Sequence, residues 1–150
     1  MSTGHHEDRL EIEQLLYRYA WMADEREWTL MDTVFSSDAT IDYTSTGGKR
    51  GHYRSTLEWL DRALAAWPIN LHFITNIHIE FEDAQTARSR CYFLAPMGRQ
   101  KDAQSQEVIT NAGYYFDALV KESGAWRIRE RVCRQTTMIG QLPAGYVIPD

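Results

Sequence analysis

The spacing of apolar residues changes once along this chain, at Pro68, and that change restricts the fold more than any other feature. Before Pro68 the apolar residues recur at helical intervals. From Glu7 to Ala23 the stripe is Leu10, Ile12, Leu15, Leu16, Tyr19, Ala20 and Ala23, which predicts an amphipathic helix. A second, shorter helix reads from Trp28 to Phe35. A strand-like segment, Ala39 to Thr44, ends at the turn Thr46-Gly47-Gly48. A third helix runs from Tyr53 to Ala66, with Leu57, Leu60 and Leu64 on one side, and Pro68 stops it. Beyond Pro68 four stretches have strand composition: Ile69 to Phe81, Thr86 to Ala95, Glu107 to Lys121 and Ala125 to Met138. Turn-like breaks at Glu82-Asp83-Ala84, Pro96 to Ser105 and Glu122-Ser123-Gly124 separate them. Helices followed by long antiparallel strands predict an α+β domain, its helices packed on one face of a curved sheet.

At 150 residues the chain is long enough for one domain with a sizeable core and too short for two ordinary ones, so residues 1–150 are read as a single unit. Residues 1–6 read as a flexible lead-in and 139–150 as an unusually apolar tail, which either closes a pocket or docks on a neighbour. A net charge of -5 argues against a nucleic-acid partner, whose phosphates demand basic surface. No apolar run approaches the roughly 20 residues of a membrane span. The N-terminus lacks a signal-peptide core, and Cys91 and Cys133 are expected to stay thiols, which together suggest a cytoplasmic protein. No CxxC, HExxH, GxGxxG or P-loop pattern occurs, so neither a metal site nor a bound cofactor is expected.

Two ionisable side chains stand where decoration does not explain them. Asp24 continues the core-facing row Leu16, Ala20, Asp24. His72 opens the strand-like run LHFITNIHIEF. A carboxylate that orients an imidazole is the usual way to make a neutral-pH general base. Asp24 also has a structural reading, because Asp24-Glu25-Arg26-Glu27 fits a capping box for the second helix. Against it, a carboxylate that ends the first helix meets an unfavourable macrodipole, and a cap does not need the core-facing row.

Strict alternation places His72, Ile74, Asn76, His78 and Glu80 on one face of their strand, and Phe73, Thr75, Ile77, Ile79 and Phe81 on the other. The next-to-last strand carries bulk on both faces, with Val108, Tyr114 and Phe116 opposed to Ile109, Tyr115 and Leu119. A lone monomer would expose one of those sets, so a homo-oligomer, trimer or dimer, formed through the sheet is expected. On the last strand Arg134 shares a face with Trp126, Ile128 and Val132, which would send it into a cavity to neutralise an anionic ligand group. Arg127, Arg129 and Arg131 alternate on the other face, as surface residues or paired across strands with acids. Tyr43 and Tyr19 have hydroxyls that would serve a substrate oxygen if they line the pocket.

Five stretches, IEQLLYRYAWMADEREW, VFSSDATIDYTSTGGKRG, LHFITN, GYYFDAL and GAWRIRERV, occur in the order seen in the SnoaL-like branch of the nuclear transport factor 2-like superfamily, which this chain resembles. The resemblance implies a conical α+β barrel, three helices across a strongly bent, mainly antiparallel sheet that encloses a pocket. Within it, scytalone dehydratase, hexachlorocyclohexane dehydrochlorinase and bile-acid 7α-dehydratase are similar in placing an Asp late in the first helix and a His at the start of the long strand. Those positions are Asp24 and His72 here. In those enzymes the dyad removes a proton, or holds a catalytic water, while hydroxide or chloride leaves. Tyr43 matches the tyrosine near the substrate carbonyl in scytalone dehydratase, and Tyr19 a pocket position of the dehydratase and dehydrochlorinase types. The pattern also departs. A second histidine of the dehydratase falls near Met97, the tyrosine beside its Asp at Ala23, and its serine and asparagine at Gly113 and Tyr115. The resemblance thus implies the dyad in a retuned pocket, with Met97 and Tyr115 among its substrate contacts.

Together these readings predict an enzyme of the lyase (dehydratase) or isomerase kind, in which Asp24, His72 and Tyr43 carry out proton abstraction on an apolar cyclic substrate such as a polyketide, steroid or aromatic intermediate. Two alternatives stay open: a hydrophobic-ligand-binding or structural subunit like the small subunit of ring-hydroxylating dioxygenases, and a polyketide cyclase of the same fold.

Overall fold

A computed structural model describes residues 5–150. Helix α1 (His6–Asp24) is followed by a 3-10 helix at Trp28–Thr33, strand β1 (Phe35–Asp42), a short β2 (Arg50–His52) and helix α2 (Tyr53–Leu64). The sheet then completes with β3 (Ile69–Asn70), β4 (Phe73–Phe81), β5 (Thr86–Gln100), β6 (Gln106–Glu122) and β7 (Ala125–Ile139). Strand order is β2-β1-β7-β6-β5-β3, with β4 also paired to β5. Every pairing is antiparallel except β1 with β7, so the sheet is mixed. It curls into a half-barrel, and the three helices close the cone on its concave side.

Helix α1 forms for the expected reason. Ile12, Leu15, Leu16, Tyr19, Ala20, Met22 and Ala23 make a continuous buried stripe. Its first turn is tied to the β6–β7 hairpin, because Asp8 accepts from Lys121 Nζ and from Trp126 Nε1, both at 2.8 Å. Of the expected lead-in, residues 1–4 lie outside the described residues, and the rest is ordered. His6 opens the helix, and His5 stacks on Phe81 with ring centres 4.2 Å apart. The helix ends in a Schellman motif: Glu27 N–H donates to Met22 O at 2.8 Å and Arg26 N–H to Ala23 O at 3.3 Å, with Arg26 left-handed at φ 58°. An arginine there costs backbone energy on the order of 1–2 kcal/mol relative to glycine. Its side chain offsets that by donating to the Leu64 and Trp67 carbonyls at 2.6 and 3.2 Å, which caps α2 and fixes the end of α1 to the end of α2.

The second predicted helix is 3-10 only, and the strand after it starts at Phe35, four residues before Ala39. The predicted Ile69 strand is two strands, parted at Leu71 and His72. Strand β5 runs through Pro96, which composition had placed in a turn. The Pro96 carbonyl accepts from Leu71 N–H at 3.1 Å, so its missing N–H falls on the side where β3 and β4 part, and no ladder bond is lost there.

Register shifts upset strict alternation, and two of them, in β4 and in the first half of β7, decide which side chains face inward. In β4 the register slips between Thr75 and His78, and Asn76 is left-handed at φ 53°. Ile74 therefore faces inward before the bulge, and Ile77, Ile79 and Phe81 after it, while His78 is turned outward to pair with Glu80 at 2.9 Å. In β7 Ile128 pairs with Leu119 and Glu130 with Ala118, which leaves Arg129 unmatched. Trp126 and Ile128 point inward before this bulge, and Arg131 and Cys133 after it. Arg131, expected on the surface or paired across strands with an acid, is therefore wholly buried and paired with Asp117 opposite it, and Arg134, expected in the cavity, lies on the outer face over the Phe116 ring at 5.0 Å.

Candidate active site

Asp24 is the last residue of α1, and His72 sits in the break between β3 and β4. The break matters chemically. Outside a ladder, the His72 backbone N–H needs an acceptor of its own. The Asp24 carboxylate supplies it at 3.0 Å through Oδ2, while Oδ1 accepts from the ring Nδ1 at 2.7 Å. One carboxylate thus holds both the backbone and the ring of one histidine. The side chains are 15% and 8% exposed, for Asp24 and His72, so the pair is shielded from screening by solvent. With Nδ1–H donated to the carboxylate, Nε2 carries the lone pair. No capping role competes, since the 3-10 helix begins after Glu27 without a side-chain cap.

His72 lines a cavity of about 320 Å³. Phe93, Ala95, Ile109 and Tyr115 from the concave sheet form one wall, with Trp59, Leu60 and Leu64 of α2 opposite. The tail after β7 closes it. Leu142, Tyr146 and Ile148 face the cavity, and the tail is held by Trp59 Nε1 donating to Pro149 O at 2.8 Å and by the Tyr146 hydroxyl donating to Ala63 O at 3.3 Å. On its other side the dyad borders a cleft between α1 and β4 lined by Tyr17, Trp21, Leu71 and Phe73.

Beside the dyad lies a buried aromatic and ionic cluster. The Tyr19 and Tyr43 hydroxyls are hydrogen-bonded to each other. The Arg131 guanidinium packs over both the Tyr19 and Tyr115 rings, 4.2 Å from each centre, at the corner where the rings meet edge to face, and makes two bonds to Asp117 at 2.7 and 2.8 Å. Burial works against the charge of Arg131, and the ion pair with Asp117 overcomes it and keeps the guanidinium charged. Burial pushes the Tyr43 and Tyr115 hydroxyls well above the usual phenol range, so both remain neutral O–H donors. It also pushes the Cys133 thiol up to about 12, which removes it as a nucleophile near neutrality. Among the described residues, no three His, Cys, Asp or Glu side chains cluster as metal ligands would.

Comparison with known proteins places this geometry. The model of the SnoaL-like domain matches residues 4–132. The chain belongs to the SnoaL-like family, in the nuclear transport factor 2-like superfamily. An uncharacterized protein of Mycobacterium tuberculosis is 36% identical over 132 residues, which is 88% of this chain and 88% of that protein. Among solved structures, a scytalone dehydratase candidate from Novosphingobium aromaticivorans superposes with a TM-score of 0.77 at 24% identity, covering 98% of this chain and 99% of that one. Hexachlorocyclohexane dehydrochlorinase LinA-type3 from Novosphingobium barchaimii gives 0.76 at 17%, covering 97% and 98%. At these identities the two structures share the SnoaL-like cone with this chain, and the likeness extends no further than fold.

Within that cone the predicted residues fall in different places. Asp24 and His72 are brought together; Tyr43, Met97 and Tyr115 line the cavity. Tyr19 does not. It is fully buried behind the wall, at the centre of His72, Tyr43 and Tyr115, with its ring 6.3 Å from that of His72. It would reach a ligand only through the Tyr43 hydroxyl. Arg134 is outside altogether, because the β7 bulge reverses its face. Sequence reasoning missed Asn111 and Gln135, which also line the cavity. Asn111 shares its parity on β6 with Ile109 and Tyr115, so that signal was present; Gln135 sits beyond the bulge and had none. Among the described residues, no helix is long and apolar enough to cross a membrane.

Proposed function

We propose that this SnoaL-like protein is a lyase- or isomerase-type enzyme whose base is His72 Nε2. The observation that carries the reading is the double hold of Asp24 on His72, on Nδ1 and on the backbone N–H, with the imidazole on a cavity wall. Asp24 fixes the tautomer and stabilises the imidazolium formed when Nε2 takes a proton. The carbon that loses this proton lies next to a carbonyl or a leaving group. The oxygen that gains charge or departs is bound by the Tyr43 hydroxyl, whose own hydrogen is free when Tyr19 donates to it, and by Tyr115. The apolar walls suit a cyclic substrate.

The test needs no knowledge of the product. Cyclic ketones such as 2-tetralone are incubated in D2O, and deuterium uptake at the carbon next to the carbonyl is followed by mass spectrometry. The wild-type protein should accelerate exchange over buffer, and His72→Ala should abolish the acceleration. Ligand binding by the wild type with no exchange on any ketone would instead support a binding-only domain.

The oligomer is proposed on the outer sheet face, where Phe73, Tyr92, Leu94 and Val108 are 42–49% exposed on adjoining strands. A second copy covering that face would bury them together. Sedimentation velocity should show a species larger than the 17.4 kDa monomer. A monomer at about 50 μM would reject the interface, since an apolar face of this kind should self-associate at such concentrations.

A further inference from the structure

The cavity wall holds polar groups that the proton-transfer reading leaves unused. Asn111 on β6 and Gln135 on β7 both line it. The Asn111 amide meets only the Met97 sulfur, at 4.0 Å, and the Gln135 side chain has no hydrogen-bond partner among the described residues. Neither carboxamide is sealed away from solvent, so a ligand that enters the cavity replaces water on two polar groups without a strong protein partner.

The strand register shows where they stand relative to the base. Phe73 pairs with Leu94 and Asn111 with Ala95, so His72, Ala95 and Asn111 follow one row across three strands. Two strand spacings put the His72 and Asn111 backbones about 10 Å apart. The residue between them is alanine, which leaves the space over that row open. Gln135 pairs with Gly113 and Asn111 with Met138, so the two carboxamides reach the cavity from neighbouring strands, two residues apart along β6. Alanine at position 95 thus leaves room between the base and Asn111.

The charge of the wall narrows the ligand further. Among the described residues that line the cavity there is no Lys, Arg, Asp or Glu. An anionic group there would be desolvated without a counter-charge. Carboxamides offer both donors and acceptors to a neutral group.

We infer that Asn111 and Gln135 are specificity residues that dock a neutral oxygen function, a hydroxyl or carbonyl, on the side of a cyclic ligand remote from the carbon deprotonated at His72. This rests on the cavity being the substrate site. It assigns the ligand as a neutral, oxygenated cyclic compound and excludes its carboxylated counterpart.

The experiment measures binding, so it stands apart from any failure of the dyad to turn over. Calorimetric titrations use three probes that share one ring system: 2-naphthol, 2-methylnaphthalene and 2-naphthoate. Wild-type protein should bind 2-naphthol at least about tenfold more tightly than 2-naphthoate, in keeping with the cost of an unpaired buried charge. Asn111→Leu and Gln135→Leu should each weaken 2-naphthol by about three- to tenfold, the value of one neutral hydrogen bond, and leave 2-methylnaphthalene unchanged. The methylnaphthalene arm also reports whether each variant keeps its cavity. His72→Ala should retain the preference for 2-naphthol. Equal affinity for naphthol and naphthoate would overturn the assignment. So would parallel weakening of naphthol and methylnaphthalene, which would mean that the carboxamides only fill space, or loss of the preference in His72→Ala, which would mean that the dyad holds the hydroxyl.

Discussion

Asp24→Asn is expected to lower turnover by about 10²–10⁴-fold, as much as His72→Ala, although it removes no atom from the cavity wall. The reason is a count of acceptors. The carboxylate takes two N–H bonds from His72, one from Nδ1 and one from the backbone. An asparagine in the same place has one oxygen and one NH2 group. If its oxygen keeps the backbone N–H, its amide must face the ring and donate to Nδ1. That forces the ring proton onto Nε2 and removes the lone pair that would abstract the substrate proton. Turning the amide the other way sets two donors against each other at the backbone. The first arrangement removes the base; the second keeps the tautomer but loses the backbone hold and the charge that stabilises the imidazolium, and neither opens a void. The expected signature is a fall in kcat with a small change in KM, measured on whichever ketone the wild type exchanges. His72→Ala combined with Asp24→Asn should be little worse than either alone, because the two side chains act as one unit. Undiminished exchange in either single variant would remove the dyad from the mechanism and leave the pair as a structural tie between α1 and the β3–β4 break.

How much of this was legible beforehand follows from where alternation holds. The boundaries of α1 and α2 came out within one or two residues, because a buried stripe at helical spacing is a local property. The contact between Asp24 and His72 was legible too. Asp24 ends that stripe and His72 opens a strand-like run, and the helix-to-strand arrangement brings the two together. What failed was parity. A single extra residue in β4 and another in β7 turned His78 and Arg134 outward and Arg131 inward. Nothing around Asn76 or Arg129 marks a bulge as a glycine would. The extended β5 was hidden for a related reason. Pro96 signals a turn in isolation, and only the gap opposite it, between β3 and β4, lets a proline continue the strand. The aromatic cluster around Arg131 depends on the β7 bulge and could not be assembled from sequence.

That cluster gives the largest expected effect on stability. Arg131 and Asp117 have no exposed side-chain surface, and they are joined by two bonds at 2.7 and 2.8 Å. Arg131→Met should destabilise the fold by about 3–5 kcal/mol in urea denaturation, because it leaves the Asp117 carboxylate buried without its partner. Against the roughly 5–15 kcal/mol that holds a typical domain together, that is a large share. Part of the loss is packing, since the guanidinium also covers the faces of the Tyr19 and Tyr115 rings. Asp117→Leu should be damaging for the opposite reason, a buried cation left without its anion. The informative measurement is the double variant. If desolvation of a lone charge dominates, Arg131→Met with Asp117→Leu should recover most of what each single change loses, because an apolar pair of similar volume replaces the ion pair at little net cost. Losses that simply add would mean that the guanidinium contributes mainly through its packing against the two tyrosines. The retained activity of the double variant then separates the roles. Tyr43 and Tyr115 line the cavity while Arg131 does not, so a stable double variant with lowered turnover would show that the buried cation holds the tyrosines in register with His72, in addition to holding the sheet closed.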